Sequence, residues 1–332
     1  MKIKFEQTLQ DIASLENLLQ AWKEFLPGKK SKPDVQDFNL HLIDNILALR
    51  FDIVNGLYRH GGYQAFKISD PKPRDIHKAS VRDRLLHHGI YRVLYPFFDR
   101  TFIADSYSCR IGKGTHRAIR RFDTFYRQVS RNNTRTVWVL KCDIRKFFAS
   151  VDHGVLMGIL KERIVDQKIL DLLGEVVDSF SSTMAGVGLP LGNLTSQLLV
   201  NIYMNEFDQF VKHRLRVRHY IRYADDFVIL SSNRDYLDIV LTEMRYFLLN
   251  RLRLNLHPDK VFVKTMASGV DFLGWVNFPD HKVIRTATKR RMIRRLDETT
   301  SEETVSSYRG LLRHGNAHKI VVSKFPPQLN LS

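Results

Sequence analysis

Residues 220–230 read YIRYADDFVIL, two short runs of strand-forming residues on either side of Ala224-Asp225-Asp226. β-Branched and aromatic residues suit a pleated, half-buried strand, so 220–223 and 227–231 are expected to pair as a hairpin with the aspartates on its turn. Two-residue hairpin turns favour Asn-Gly or another glycine-containing pair; none is present, so a demand other than turn chemistry selects these residues. Upstream, 136–142 (TVWVLKC) is a second apolar, β-branched run, expected to be a buried strand ending at Asp143. A carboxylate at a strand end and two more on a neighbouring turn can converge, and hard carboxylate oxygens suit divalent cations such as Mg²⁺. Two such ions about 3.5–4 Å apart serve nucleotidyl transfer, activating a 3′-hydroxyl and neutralising charge on a triphosphate. Asp is also a common turn residue, but its presence at both places favours the metal reading.

The 332-residue chain is 44% hydrophobic and 26% charged, a globular mixture long enough for more than one subdomain. Lys and Arg number 52 against 35 Asp and Glu, a formal net charge of +17. So large an excess repels itself and is ordinarily retained for a polyanionic partner. Cys109 and Cys142 are too few for a disulfide framework or a zinc site and read as small buried hydrophobes. Charges interrupt the apolar residues at the start, so no signal peptide is expected. No later stretch is long enough to span a bilayer, and a cytoplasmic protein without a membrane partner is expected.

Helices are expected over 9–27 and 36–58, a strand over 63–70, and helices over 81–98 and 115–130. Helical segments should fill 154–180. A glycine-rich loop at 186–192 then leads to a helix over about 193–216, and a basic helical tail begins near Asp280. The fold class is α+β.

Several stretches together resemble the motifs of reverse transcriptases. YADD at 223–226 resembles their metal-binding box and LKCDIRKFF at 140–148 their first catalytic motif. GLPLGNLTSQ at 188–197 resembles the segment beneath the nucleotide pocket, LRLNLHPDK at 252–260 the lysine-bearing segment, and GVDFLGW at 269–275 the palm-to-thumb turn. KPRDI at 72–76, VRDRLLHH at 81–88 and SYSCRIGKGTHRA at 106–118 resemble fingers motifs of the bacterial enzymes, and SYRGLLRHGN at 307–316 their thumb helices. The resemblance implies a right-hand polymerase with fingers, an antiparallel-sheet palm and a short helical thumb. Its expected boundaries are an N-terminal helical extension at 1–60, fingers at 61–136 and 154–187, palm at 137–153 and 188–275, and thumb at 276–332.

The same resemblance implies roles. Asp143 and Asp225 would ligate two Mg²⁺ ions, with Mn²⁺ a substitute, helped by the Ile144 carbonyl and by Asp226 nearby. Phe148 would block a ribose 2′-hydroxyl. Lys72, Arg74 and Arg110 would meet triphosphate or template, Leu191 and Gly192 would line the nucleotide pocket, and Lys260 would protonate the leaving pyrophosphate. Exposed cations are expected to grip template RNA and the cDNA or primer strand by their backbones: Arg214, Arg216, Arg218 and Arg222, with Lys289, Arg290, Arg291, Arg294 and Arg295.

Most reverse transcriptases begin the loop motif with glutamine and end it Ser-Pro, whereas this chain has Leu191 and Gln197. The variant resembles the enzymes of diversity-generating retroelements, which copy a template-repeat RNA with errors opposite adenine. Those act with a small basic pentameric accessory protein. Leucine offers the nascent pair shape without a hydrogen bond, which would weaken discrimination. Against other relatives, no long maturase or endonuclease region follows Trp275, and no Val-Thr-Gly retron box follows Asp226. A defence-associated or retron-like bacterial reverse transcriptase is the alternative. A non-catalytic RNA-binding scaffold is disfavoured because all three carboxylates are retained.

Overall fold

The computed structural model describes residues 3–69, 73–298, 301–312 and 315. Four helices lead: α1 (Leu9–Ala13), α2 (Leu15–Phe25), α3 (Pro33–Leu40) and α4 (Leu42–Val54). The expected 9–27 helix is divided because Ser14 leaves helical geometry and caps α2, its hydroxyl accepting the Asn17 N–H. The expected 36–58 helix is likewise broken at His41.

Strands β1 (Tyr63–Ile68) and β2 (Arg74–Ala79) form an antiparallel hairpin, and α5 (Val81–Asp99) follows. β2 escaped the sequence reading, since Pro71, Pro73 and the charges of RDIHKA mask a strand, yet each of its residues pairs with β1. α2 packs on α5, with Leu18 beside Gly89 and the Phe25 ring edge-on to His88, each such buried large side chain contributing roughly 1.5–3 kcal/mol.

Helix α6 (Thr115–Ser130) has the expected limits and stops where Arg131 turns left-handed. Strand β3 (Trp138–Asp143) follows. Helices α7 (His153–Lys161) and α8 (Gln167–Asp178) are the helical segments expected over 154–180, and Asp166 caps α8 at the Lys168 N–H. Helix α9 (Leu194–Gln209), buried along most of its length, closes in a π-helical turn over Phe210–Arg214.

β4 (Tyr220–Tyr223), β5 (Asp226–Ser231), α10 (Arg234–Leu252) and β6 (Phe262–Thr265) complete the central unit. Its sheet has the order β4–β5–β3–β6 and is antiparallel throughout. Both faces are buried, with successive side chains pointing to opposite sides. Leu140, Cys142, Phe227 and Ile229 join the core containing α9 and α10, while Val139, Ile221, Val228 and Leu230 join Phe122 and Phe125 of α6.

Strands β7 (Val270–Phe272), β8 (Trp275–Asn277) and β9 (Lys282–Ile284) make a small antiparallel sheet leading to α11 (Thr286–Glu298) and α12 (Glu302–Leu312). The tail from Asp280 therefore begins as a strand. Trp275, Ile284, Met292 and Leu312 cluster with Ile119 of α6. Lys72, Arg313, His314 and Asn316, named in the sequence reading, lie outside the described residues. Cys142 is buried as expected, whereas Cys109 is exposed in a left-handed turn. No described helix is long and apolar enough to cross a membrane.

Candidate active site

The ladder between β3 and β5 sets Asp143 directly opposite Asp226, and the β4–β5 ladder ends at Tyr223 opposite Asp226. Ala224 and Asp225 are thus the whole turn. Ala224 takes φ +55, which a residue with a Cβ adopts at a cost of about 1–2 kcal/mol. The Ile144 N–H donates to the Asp225 carbonyl over 3.1 Å, tying the end of β3 to the turn. The 255–257 segment closes the other side. Arg145 N–H donates to the Asn255 carbonyl at 2.9 Å, and His257 N–H to the Asp143 carbonyl at 2.7 Å. Backbone hydrogen bonding alone brings the three expected aspartates to one edge of the sheet.

Two lysines attend them. Lys260 Nζ lies 2.8 Å from Asp143 Oδ1. Lys141, buried in β3, lies 3.2 Å from Asp226 Oδ2 and donates to the Asp271 carbonyl at 2.8 Å. Burial pushes the Asp226 carboxyl up to about 6 against the opposing pull of Lys141. Asp225 is also raised, first by burial and then by the Asp143 carboxylate. Asp226 Oδ1 is buried with no hydrogen-bond partner, a state costly for a carboxylate oxygen.

Neighbouring carboxylates, a partnerless buried oxygen and hard oxygen donors fit a divalent cation. The groups able to hold one are Asp143, Asp225, Asp226 and the Ile144 carbonyl. Among the described residues no group of three or more His, Cys, Asp or Glu side chains stands arranged to hold a metal ion; Lys260 and Lys141 engage two of the three carboxylates.

The glycine-rich loop docks against this edge. Leu189 N–H donates to the Phe148 carbonyl and Gly188 N–H to the Val151 carbonyl, each at 2.8 Å. Half-buried Phe148 stands edge-on to Phe147. Strand β2 lies on the next part of the loop: His77 N–H donates to the Leu191 carbonyl at 3.0 Å, and Asn193 Nδ2 to the His77 carbonyl at 3.2 Å. Gly192 has φ +106, and a Cβ there would stand 3.0 Å from Ile76. Arg74 is exposed on β2, near enough to the turn to favour ionised Asp225.

Two arginines are reassigned. The Arg110 side chain is largely covered: Nε meets Asp99 Oδ1 at 2.7 Å, and its other nitrogens donate to the Ile103, Ser106 and Asp99 carbonyls. Its donors are spent inside the protein rather than on triphosphate. Arg222 is fully buried against Asp208 and is no nucleic-acid contact. Both follow the rule that a buried charge must be paired.

Arg214, Arg216 and Arg218 are exposed, at the end of β4 away from the aspartate turn. On α11, Lys289, Arg290, Arg294 and Arg295 are exposed and Arg291 is half-buried, while Met292 faces the core. Sequence reasoning missed Lys141, although a lysine inside an otherwise apolar strand was the signal for it.

A family model described as reverse transcriptase (RNA-dependent DNA polymerase) matches residues 68–276. Protein YkfC of Escherichia coli (strain K12) is 27% identical, the match covering 86% of this chain and 85% of that protein. Group II intron-encoded protein LtrA of Lactococcus lactis subsp. cremoris is 21% identical over 68% of this chain and 47% of its own length. A putative COX1/OXI3 intron 2 protein of Saccharomyces cerevisiae is 21% identical over 65% of this chain and 30% of its own.

Proposed function

This chain belongs to the reverse transcriptase family and is an RNA-directed DNA polymerase of right-hand fold, and from that premise we propose that it copies a template RNA into cDNA as the error-prone enzyme of a diversity-generating retroelement. The observation that carries the polymerase reading is the register that sets Asp143 opposite Asp226 and bonds Ile144 to the Asp225 carbonyl. Bound Mg²⁺, or Mn²⁺ in its place, would be held by Asp143, Asp225, the Ile144 carbonyl and Asp226, neutralising triphosphate charge and acidifying the primer hydroxyl.

The chain's own residues do the rest. Lys260, beside Asp143, is placed to deliver a proton to departing pyrophosphate. Arg74, with Lys72, receives the triphosphate of the incoming dNTP. Phe148 excludes a 2′-hydroxyl by bulk. Residues 61–136 and 154–187 act as fingers, 137–153 and 188–275 as palm, and 276–332 as thumb. The exposed cations of α11 hold the template–primer backbone.

The subtype rests on Leu191 and Gln197, where most of the family has glutamine and proline. In this reading the enzyme works in the cytoplasm with a small basic pentameric accessory protein. A second reading, favoured by the similarity to LtrA, is service to a group II intron-like element; a defence-associated or retron-like role is the further alternative. Primer extension on an RNA template with Mg²⁺ tests the polymerase reading, with Asp225→Ala as the inactive control. Extension that survives that substitution contradicts it. Sequencing of the cDNA tests the subtype: errors concentrated opposite adenine support it, and uniform errors refute it.

A further inference from the structure

The side chain of Arg222 has no exposed surface, yet it lies three residues before Asp225. Arginine carries five N–H donors in a rigid fork, and the bonds around Arg222 employ all three nitrogens. Nε donates to Asp208 Oδ1 at 2.8 Å, and Nη2 to Asp208 Oδ2 at 2.7 Å and Ser106 Oγ at 3.1 Å. Nη1 donates to Asn201 Oδ1 at 3.2 Å and to the Ala224 carbonyl at 3.1 Å. Tyr220 donates its hydroxyl to Asp208 as well. The main chain of Arg222 is held too, its N–H on the Asp105 carbonyl and its carbonyl under the Tyr107 N–H, both at 3.0 Å.

Asp225 therefore sits between two fixed peptide planes. The peptide before it is held through the Ala224 carbonyl by Arg222, and the peptide after it through its own carbonyl by Ile144. A two-residue turn without glycine, with Ala224 left-handed, would otherwise relax by rotating those planes and swing the Asp225 carboxylate. We infer that Arg222, anchored by Asp208 and Asn201 of α9, is a positioning residue that clamps the Ala224 carbonyl and so fixes the direction of the Asp225 carboxylate. The inference rests on the polymerase reading and deepens it, because Asp225 is the group being aimed. Ser106 and the Asp105 and Tyr107 main chain extend the clamp to the segment that leads into α6.

Removing only one member of a buried ion pair strands the other, so the test replaces the set. Arg222→Met with Asp208→Leu and Tyr220→Phe leaves an apolar cluster of similar volume, an exchange that is often neutral for stability. Arg222→Lys is the second variant: it keeps a charge for Asp208 but has no fork to reach Ala224. Thermal unfolding identifies which variants fold, and those are assayed for kcat, for template–primer affinity, and for Mn²⁺ binding by EPR without substrate.

The expected result is kcat lowered about 10²-fold, the scale of a small misplacement of reacting groups. Mn²⁺ binding should weaken about 10–100-fold, as when the partners of metal ligands are lost, with template–primer affinity unchanged. A merely structural arginine would lower stability and leave kcat and Mn²⁺ affinity alone in the folded variant, and that result overturns the inference. Should the triple variant fail to fold, Arg222→Lys decides by the same readings. If the parent protein itself extends no primer, the polymerase reading falls, while the Mn²⁺ arm still decides the clamp.

Discussion

Gly186 and Gly188 stand in one loop, both with left-handed backbone, and their replacement by alanine should have very different consequences. At Gly186 (φ +74) an added Cβ meets nothing within 4 Å, so Gly186→Ala carries only the backbone strain, about 1–2 kcal/mol. At Gly188 (φ +111) the Cβ would stand 2.7 Å from Ser182 Cβ and 3.0 Å from the Ser182 backbone nitrogen. The backbone atom cannot swing away. Ser182 N–H is itself bonded to the Val187 carbonyl at 2.8 Å, and its hydroxyl to the Ala149 carbonyl at 2.7 Å. Strain of about 1–3 kcal/mol is therefore joined by overpacking of about 1–3 kcal/mol. Each kcal/mol is expected to move Tm by about 1.5 °C, from an unfolding entropy of about 2.1 cal/mol/K per residue. Thermal unfolding should place Gly188→Ala at least roughly 3 °C below the parent, with Gly186→Ala between the two. Because the same loop bonds to the Phe148 carbonyl, Gly188→Ala should also raise KM for dNTP. Equal Tm values for the two variants would refute the reasoning.

Other expectations follow from the same site. Leu191→Gln restores a hydrogen-bonding side chain beside β2 and should lower misincorporation opposite template adenine; an unchanged error spectrum in sequenced cDNA removes Leu191 from the explanation. Lys260→Met removes the proton donor beside Asp143 and should lower kcat about 10²–10⁴-fold, a loss visible in single-turnover extension and absent if Lys260 only balances charge. Phe148→Ala should admit ribonucleotides, read as a fall in the dNTP/NTP ratio of kcat/KM. Neutralising Lys289, Arg290 and Arg294 together should flatten the plot of log binding constant against log salt by about 2–3 units; an unchanged slope would place the duplex elsewhere.

Much of this site was legible because its signal is local. The strand formers of 220–223 and 227–231 place the turn at Ala224-Asp225, with Asp226, expected on the turn, instead the first residue of β5, and 136–142 has the composition of a buried strand. The limits of α6 followed from its periodicity. What escaped depends on partners distant in sequence. β2 is a strand because β1 pairs with it, not because RDIHKA looks like one. Arg110 and Arg222 read as surface cations until Asp99 and Asp208 are seen beside them. A partial signal existed: Arg222 shares a strand face with Tyr220, and Asp208 interrupts the apolar helix α9. The break at Ser14 is a capping choice, where a local hydrogen bond outweighs helical continuity.

The central claim is that Asp143, Asp225 and Asp226 gather divalent cations where a primer end meets a nucleotide. Anomalous diffraction from crystals of the protein with template–primer, a non-hydrolysable dNTP and Mn²⁺ tests it most directly. Two peaks about 3.5–4 Å apart, both within bonding distance of Asp143 and Asp225, are the predicted result. Peaks lying away from these carboxylates, in an otherwise fully bound complex, would contradict it.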